Sequence, residues 1–307
     1  MIGRLAPSPS GLLHLGHART FLLAWWSARA RGGSVVMRIE DLDGERSTQA
    51  FADAACRDLE WLGLDWDGAP IVQSTGLFRM TQAIEQLLAS GQAYVCSCSR
   101  GDVRQAQTAP NEGSAEPRYP GTCRGRWSSL AEAESKTGRR AGIRLLVREG
   151  VVRFDDQIAG EQAFDVAATV GDFPIARRSG APAYQLAVVV DDGAQGVTEV
   201  VRGDDLLSST ARQLLLQEAL GLPHPTWAHV PLVTNAEGKR LAKREASLGL
   251  SELRDRGVDP RRIVAWAASS AGLDAAELAS ASELVKGFQI RAISKQRVVA
   301  PELIALP

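Results

Sequence analysis

Two histidines three residues apart, His14 and His17, enclose Leu15-Gly16 directly after the chain-breaking stretch Ala6-Pro7-Ser8-Pro9-Ser10-Gly11. The residues that follow pattern as a helix from about Gly16 to Arg31, stopped by Gly32-Gly33, so both imidazoles stand at a helix start. A helix N-terminus presents unpaired N–H groups and the positive end of the macrodipole, which suits phosphate. Imidazoles placed there can donate hydrogen bonds to phosphate oxygens as charge builds in a transition state. Gly16, without a Cβ, lets a base or ribose lie against the backbone. The motif alone also fits a pair of capping or packing histidines, or two metal ligands with no third nearby. A second cluster, Cys96, Cys98 and Cys123, offers three thiolates to one tetrahedral zinc. None of the four histidines (14, 17, 224 and 229) lies near it, so a fourth ligand comes from elsewhere, from water, or the thiols are free. Cys56, in an apolar helical stretch, reads as core.

Positioning these groups requires strands and helices in alternation, and the pattern supplies them. Ile2–Ala6 and Ser34–Glu40 read as short strands. A helix capped by Ser47 or Thr48 runs to about Gly63, and the alternation implies a parallel α/β sheet. The stretch 100–118, rich in Gln, Pro, Glu, Gly and Ser, reads as a loop. Short β-like runs between Ala141 and Val170 imply an inserted, partly antiparallel unit. Ala183–Val190 has a buried-strand pattern, Ser208 or Ser209 caps a helix ending at Gly221, and the remainder from Thr226 reads as helical and arginine-rich. The 307 residues, 45% apolar and 23% charged, are ordinary for a globular protein, and the net charge of −1 does not advertise a nucleic-acid partner. No apolar run approaches the roughly 20 residues that span a bilayer, so no membrane association and a cytoplasmic setting are expected.

The order of motifs narrows the chemistry. "GRLAPSPSGLLHLGHART" resembles the opening of class I glutamyl-tRNA synthetases, whose HIGH signature here reads His14-Leu15-Gly16-His17. "RIEDLD" (Arg38–Asp43), "WLGLDWDG" (Trp61–Gly68), "AYQLAVVVDD" (Ala183–Asp192), "VVRGDDLLSST" (Val200–Thr210) and "GKRLAKR" (Gly238–Arg244) follow in that family's order, the last resembling its KMSKS loop. The resemblance implies a Rossmann-like catalytic domain and a two-step reaction. The α-carboxylate of glutamate attacks the α-phosphate of ATP, with Mg²⁺, and the glutamyl-adenylate then meets a tRNA hydroxyl. It implies that His14, Gly16, His17 and Lys243 handle ATP, with His14, His17 and Lys243 catalytic. Glutamate would be held by Arg4, Leu5, Ala6, Pro7, Ser8, Glu40, Tyr184 and Arg202: Arg4 and Arg202 on carboxylate, Glu40 on the ammonium group. The loop departs from the common pattern, with Arg240 at the first lysine and Ala242 at the serine.

The spacing C-x-C…Y-x₃-C (Cys96, Cys98, Tyr119, Cys123) resembles the zinc site of a truncated subgroup, the glutamyl-Q tRNA(Asp) synthetases. It makes Tyr119 the implied fourth ligand of one structural zinc. About 60 residues follow the Lys243 loop, fewer than a separate anticodon-reading domain needs by the usual domain size. That subgroup attaches glutamate to the queuosine base in the anticodon of tRNA(Asp). The resulting expectation is a monomer with a first Rossmann half at 1–95, a zinc-containing α+β insertion at 96–170, a second half at 171–225, and a KMSKS-like loop with a short helical region at 226–307. Arg244, Arg261 and Arg262 are the candidate tRNA contacts. Three rivals stay open: a minimal synthetase charging a tRNA 3′ end, a nucleotidyltransferase with the same phosphate site, and a non-catalytic tRNA-binding module.

Overall fold

The computed structural model describes residues 1–106, 117–235, 238 and 249–301. The elements are β1 (Ile2–Leu5), α1 (Leu15–Arg29), β2 (Ser34–Ile39), α2 (Gln49–Trp61), β3 (Ile71–Val72), α3 (Leu77–Ala89), β4 (Ala93–Cys96), α4 (Arg100–Gln105), α5 (Leu130–Thr137), β5 (Gly142–Leu145), β6 (Val152–Asp156), β7 (Gly160–Phe164) and α6 (Val166–Thr169). After them come β8 (Pro174–Ala176), α7 (Tyr184–Ala194), β9 (Glu199–Gly203), α8 (Leu207–Leu220), β10 (Thr226–Val230), β11 (Val233–Thr234), α9 (Leu250–Asp255), α10 (Pro260–Ser270) and β12 (Val298–Val299).

The expected parallel sheet forms. β1, β2 and β3 pair in parallel, and so do β9, β10 and β6, with β7 closing that edge as an antiparallel hairpin arm. The Thr198 N–H donates to the Ile2 carbonyl at 2.9 Å and joins the two groups at β1 and β9. The order is therefore β3-β2-β1-β9-β10-β6-β7, with the direction of winding reversing between β1 and β9. Ligands of such sheets bind outside the carboxyl ends of the strands at that reversal. Helices cover both faces. Leu22, Leu23 and Trp26 of α1 pack with Leu59 of α2 and Ile263 and Ala267 of α10 on one side, and Met80, Leu87, Leu186 and Leu216 from α3, α7 and α8 pack on the other. Cys56 lies at the margin of the first core, partly buried. The Trp26 indole donates to the Ala281 carbonyl at 2.8 Å, tying the C-terminal segment to α1.

Several local expectations are corrected. The stretch Ala183–Val190 is not a strand: Ala183 is the N-cap and Tyr184–Val190 belong to α7, because Gln185 to Asp192 are buried in succession and an element buried all round shows no period to read. α8 begins a turn early, at Leu207, with no side-chain cap. Ser209 instead accepts from Gln185 (3.1 Å) and Arg212 (3.0 Å). Residues 100–106 are not all loop: Ser99 and Asp102 form a capping box that starts α4, while 107–116 lie outside the described residues. The stretch from Thr226 is not all helix, since Thr226–Val230 pairs in parallel with β9 and positive-φ Gly272 and Gly287 interrupt the later segment. The hairpin β6–β7 extends the main sheet, while β4, β5 and β8 make a separate antiparallel sheet beneath the cysteines. Among the described residues no helix is long and apolar enough to cross a membrane.

Candidate functional site

A cavity of about 430 Å³ opens at the reversal point. It is lined by Arg4, Ala6 and Ser8 after β1, His14, Gly16 and His17 at the start of α1, Glu40 after β2, Tyr184 at the start of α7, and Arg202 on β9. Leu5 is fully buried and Pro7 is buried behind this lining. Lys243, like Arg240, Ala242 and Arg244, lies outside the described residues. Arg261 and Arg262 do not line the cavity, and Arg261 is bound to Asp259. A larger cavity, about 890 Å³, lies at the opposite end of the sheet and contains none of these groups.

The two histidines answer their own ambiguity. His14 is the N-cap of α1: its Nδ1 accepts from the Gly16 N–H at 3.1 Å, and His17 Nδ1 accepts from the His14 N–H at 3.2 Å. The rings stack with centroids 3.8 Å apart. With each Nδ1 accepting, the neutral ring carries its proton on Nε2 and can donate it to a phosphate. Gly16 is needed for a further reason, since a Cβ there would sit 3.0 Å from His14 Cε1.

Around the other end, buried charge is organised in two sets. Arg38, fully buried, reaches Asp192 at 2.7 Å and Glu40 at 3.2 Å, and Arg4 lies 3.7 Å from Asp192. Burial opposes the Arg38 charge, but Asp192 and Glu40 outweigh it and raise its pKa. Burial raises the Glu40 carboxyl against Arg38 and Arg4, so a cationic ligand would restore its charge. The neighbouring Asp191 is matched by Arg79 at 3.5 Å. Two buried guanidiniums, Arg4 and Arg202, line the cavity together with Glu40, and of the two only Arg4 has a carboxylate, Asp192, within ion-pair reach among the described residues.

Arg202 is held by a relay that sequence reasoning missed. Arg202 and His229 are register partners on β9 and β10. Arg202 Nε donates to His229 Nε2 at 3.0 Å, Nη1 to Gln213 at 2.8 Å and Nη2 to Thr210 at 2.8 Å. On the far side of the ring, His229 Nδ1 meets Asp156 Oδ2 at 2.6 Å, with both side chains fully buried. Asp156 fixes the proton on Nδ1, which leaves the Nε2 lone pair for Arg202. Burial lowers the pKa of His229 against the pull of Asp156, keeping the ring neutral near pH 7. Burial also lowers that of Arg202, so a carboxylate ligand gains from meeting it. Arg38 could have been found, since the two-residue spacing of Arg38 and Glu40 puts both on one face of a strand.

The three cysteines converge at the end of β4. Their sulfurs lie within 4.8 Å of one another, with Cys98 and Cys123 at 3.5 Å. Tyr119 Oη is 3.3 Å from Cys96 Sγ and 3.7 Å from Cys98 Sγ, and it accepts from the Cys123 N–H at 2.9 Å. These separations fit three sulfurs and one oxygen around a metal with Zn–S near ~2.3 Å. Burial pushes the Cys98 thiol up to about 12, while hydrogen bonds from Tyr119 and the Ser97 backbone overcome burial at Cys123 and bring it to about 7. Gly171 lets the Tyr119 backbone pass: a Cβ there would come 2.2 Å from the Tyr119 carbonyl oxygen. Arg144 donates to Cys96 Sγ at 3.3 Å and lies 3.9 Å over the Tyr119 ring. The cluster can therefore hold a metal ion.

The family model described as tRNA synthetases class I (E and Q), catalytic domain, matches residues 1–300. A glutamyl-Q tRNA(Asp) synthetase of Rhodopirellula baltica is 48% identical over 281 residues, covering 88% of this chain and 84% of that protein. A glutamate–tRNA ligase of Geobacter sulfurreducens is 41% identical over 95% of this chain, which spans 62% of that protein. Among solved structures, a glutamate tRNA ligase from Elizabethkingia meningosepticum in complex with its amino acid superposes with a TM-score of 0.83 at 26% identity, covering 97% of this chain and 66% of that one.

Proposed function

Since the chain belongs to the class I tRNA synthetases of the E and Q type, a ligase family, we propose that it activates glutamate with ATP and transfers the glutamyl group to the queuosine base in the anticodon of tRNA(Asp). The observation that carries the amino acid is the buried Arg202 in the cavity lining, which has no carboxylate within ion-pair reach among the described residues, beside Arg4 and Glu40. Glutamate brings a side-chain carboxylate for Arg202 and an ammonium group for Glu40. Glutamine brings no side-chain carboxylate and leaves the buried Arg202 without a charged partner, which is costly. Arg4 and Arg202 take the side-chain carboxylate, and Glu40 and Ser8 take the ammonium end. His14 and His17 then donate to the ATP phosphates while the glutamate α-carboxylate attacks the α-phosphorus and pyrophosphate leaves. Positioning and charge stabilisation are most of what such a displacement needs. Lys243 belongs to the same step on the family's pattern, and ATP brings Mg²⁺. The choice of queuosine over a 3′ end is supported by the printed name of a relative 48% identical whose length this chain largely spans. The first test is glutamate-dependent exchange of pyrophosphate into ATP without tRNA. Equal exchange with aspartate or glutamine would refute the pocket.

The relay gives a second expectation. Asp156→Asn keeps the shape but offers an amide donor to His229 Nδ1, which moves the ring proton to Nε2 and sets it against Arg202 Nε–H. The KM for glutamate should rise about tenfold, the equivalent of one lost hydrogen bond to a charged group, with kcat of exchange nearly unchanged. A kcat loss with normal KM would show that Asp156 supports only the fold.

In this reading the cluster Cys96, Cys98, Tyr119 and Cys123 would hold one structural zinc, pinning the chain that follows β4 to the β4–β5–β8 sheet. Protein purified without added zinc should contain the metal stoichiometrically. Cys98→Ser should release it and speed proteolysis after Ser99, while glutamate-dependent exchange survives in part. Metal-free protein with three titratable thiols at these positions would defeat the assignment.

A further inference from the structure

Beside the pocket lies a second cavity, of about 210 Å³, that shares Ser8, Glu40 and Tyr184 with it. None of His14, Gly16 and His17 lines this side cavity. A group seated there lies on the Ser8, Glu40 and Tyr184 side of the pocket, away from the two histidines. Its remaining walls are Leu42 and the polar Ser10, Asp43, Ser47 and Gln73, with Arg177 also contributing. The Ser47 hydroxyl oxygen is buried and has no hydrogen-bond partner among the described residues. Such a group is costly unless something fills its hydrogen bonds. Among the described residues the Asp43 carboxylate forms an ion pair only with exposed Arg46, at 2.8 Å, and a surface pair of that kind competes weakly with a ligand. Arg177 is exposed on the turn after β8, and no carboxylate lies within ion-pair reach of it among the described residues.

We infer that this side cavity is the acceptor subsite: it takes a cis-diol on a five-membered ring, with Ser47 and Asp43 holding the hydroxyl that does not attack, while Arg177 meets a backbone phosphate of the same RNA. A hydroxyl needs both a donor and an acceptor nearby, and Ser47 with the Asp43 carboxylate provides them. The cyclopentene-diol of queuosine and the terminal ribose of a tRNA both carry that diol. The inference rests on the proposed glutamyl transfer but not on which of the two diols receives it. In the transfer, the attacking hydroxyl oxygen forms an ester bond to the glutamyl carbonyl carbon. The bond from that carbon to the phosphate oxygen breaks, AMP leaves with the electron pair, and the hydroxyl proton passes to an AMP phosphate oxygen.

The test separates the two steps in one protein. Exchange of pyrophosphate into ATP without tRNA reads activation, and single-turnover transfer of labelled glutamate to tRNA reads the acceptor subsite. Ser47→Ala should slow transfer about tenfold, the worth of one hydrogen bond, with exchange within about twofold of the unsubstituted enzyme. Ser47→Leu fills the cavity and should block transfer while exchange continues, which also shows that the variant is folded. Arg177→Glu should weaken transfer more at low salt than at high salt, as loss of a phosphate contact requires. Unaltered transfer by Ser47→Leu would overturn the subsite, as would parallel loss of exchange and transfer in Ser47→Ala. Two preparations of tRNA, with and without queuosine, identify the source of the diol. Transfer to the 3′ end that is still blocked by Ser47→Leu would overturn the queuosine reading and leave the subsite standing.

Discussion

Replacing Arg202 with alanine is expected to lower kcat/KM for glutamate in pyrophosphate exchange by between about thirtyfold and a few thousandfold. Removing one member of a buried, hydrogen-bonded charge pair typically costs about 2 to 5 kcal/mol, and about 1.4 kcal/mol is a factor of ten. Arg202 is 5% exposed and is gripped by His229, Gln213 and Thr210, so no neighbour can swing in to replace it. The loss should fall on KM. The substitution also removes the lining guanidinium that has no carboxylate of its own within ion-pair reach among the described residues. Discrimination between glutamate and glutamine should therefore narrow, chiefly because glutamate gets worse. Arg202→Lys keeps the charge but not the planar fork that engages three acceptors at once, and should recover only part of the loss. An unchanged KM for glutamate in Arg202→Ala would mean that the side-chain carboxylate lies elsewhere.

His14→Ala is expected to have two effects that can be measured apart. Loss of the N-cap of α1 should cost about 1 kcal/mol of stability, seen as a lower midpoint in urea unfolding. Loss of a donor to the developing phosphate charge should cost about 10² to 10³ in the exchange rate. His14→Asn separates them, because its side-chain oxygen can still accept from the Gly16 N–H and restore the cap. It should regain stability and remain slow in exchange. If Asn restored both, the imidazole would matter only as a cap, and the phosphate role of His14 would fall.

Local pattern made the histidine end of the cavity legible, because His14, Gly16 and His17 sit within four residues at one helix start. The strand–helix alternation of residues 2–63 was legible for the same reason, as each element carries its own stop signal. The relay behind Arg202 was not, because Asp156 and His229 are 73 residues apart and meet only through the parallel register of β6 and β10. Nothing in the local sequence distinguishes His229 from an ordinary buried strand histidine. α7 was misread because complete burial erases the alternation that separates helix from strand. The three cysteines were readable by residue type. That Tyr119 reaches them depends on its backbone crossing Gly171, a tertiary contact.

The central claim is that glutamate goes from this enzyme to the anticodon of tRNA(Asp). It is tested most directly by charging tRNA(Asp) with labelled glutamate, cutting it with a nuclease, and locating the label. The queuosine reading requires a base-labile ester on the anticodon fragment and no transfer to tRNA that lacks queuosine. Label on the 3′-terminal adenosine, or equal transfer to tRNA without queuosine, would contradict it.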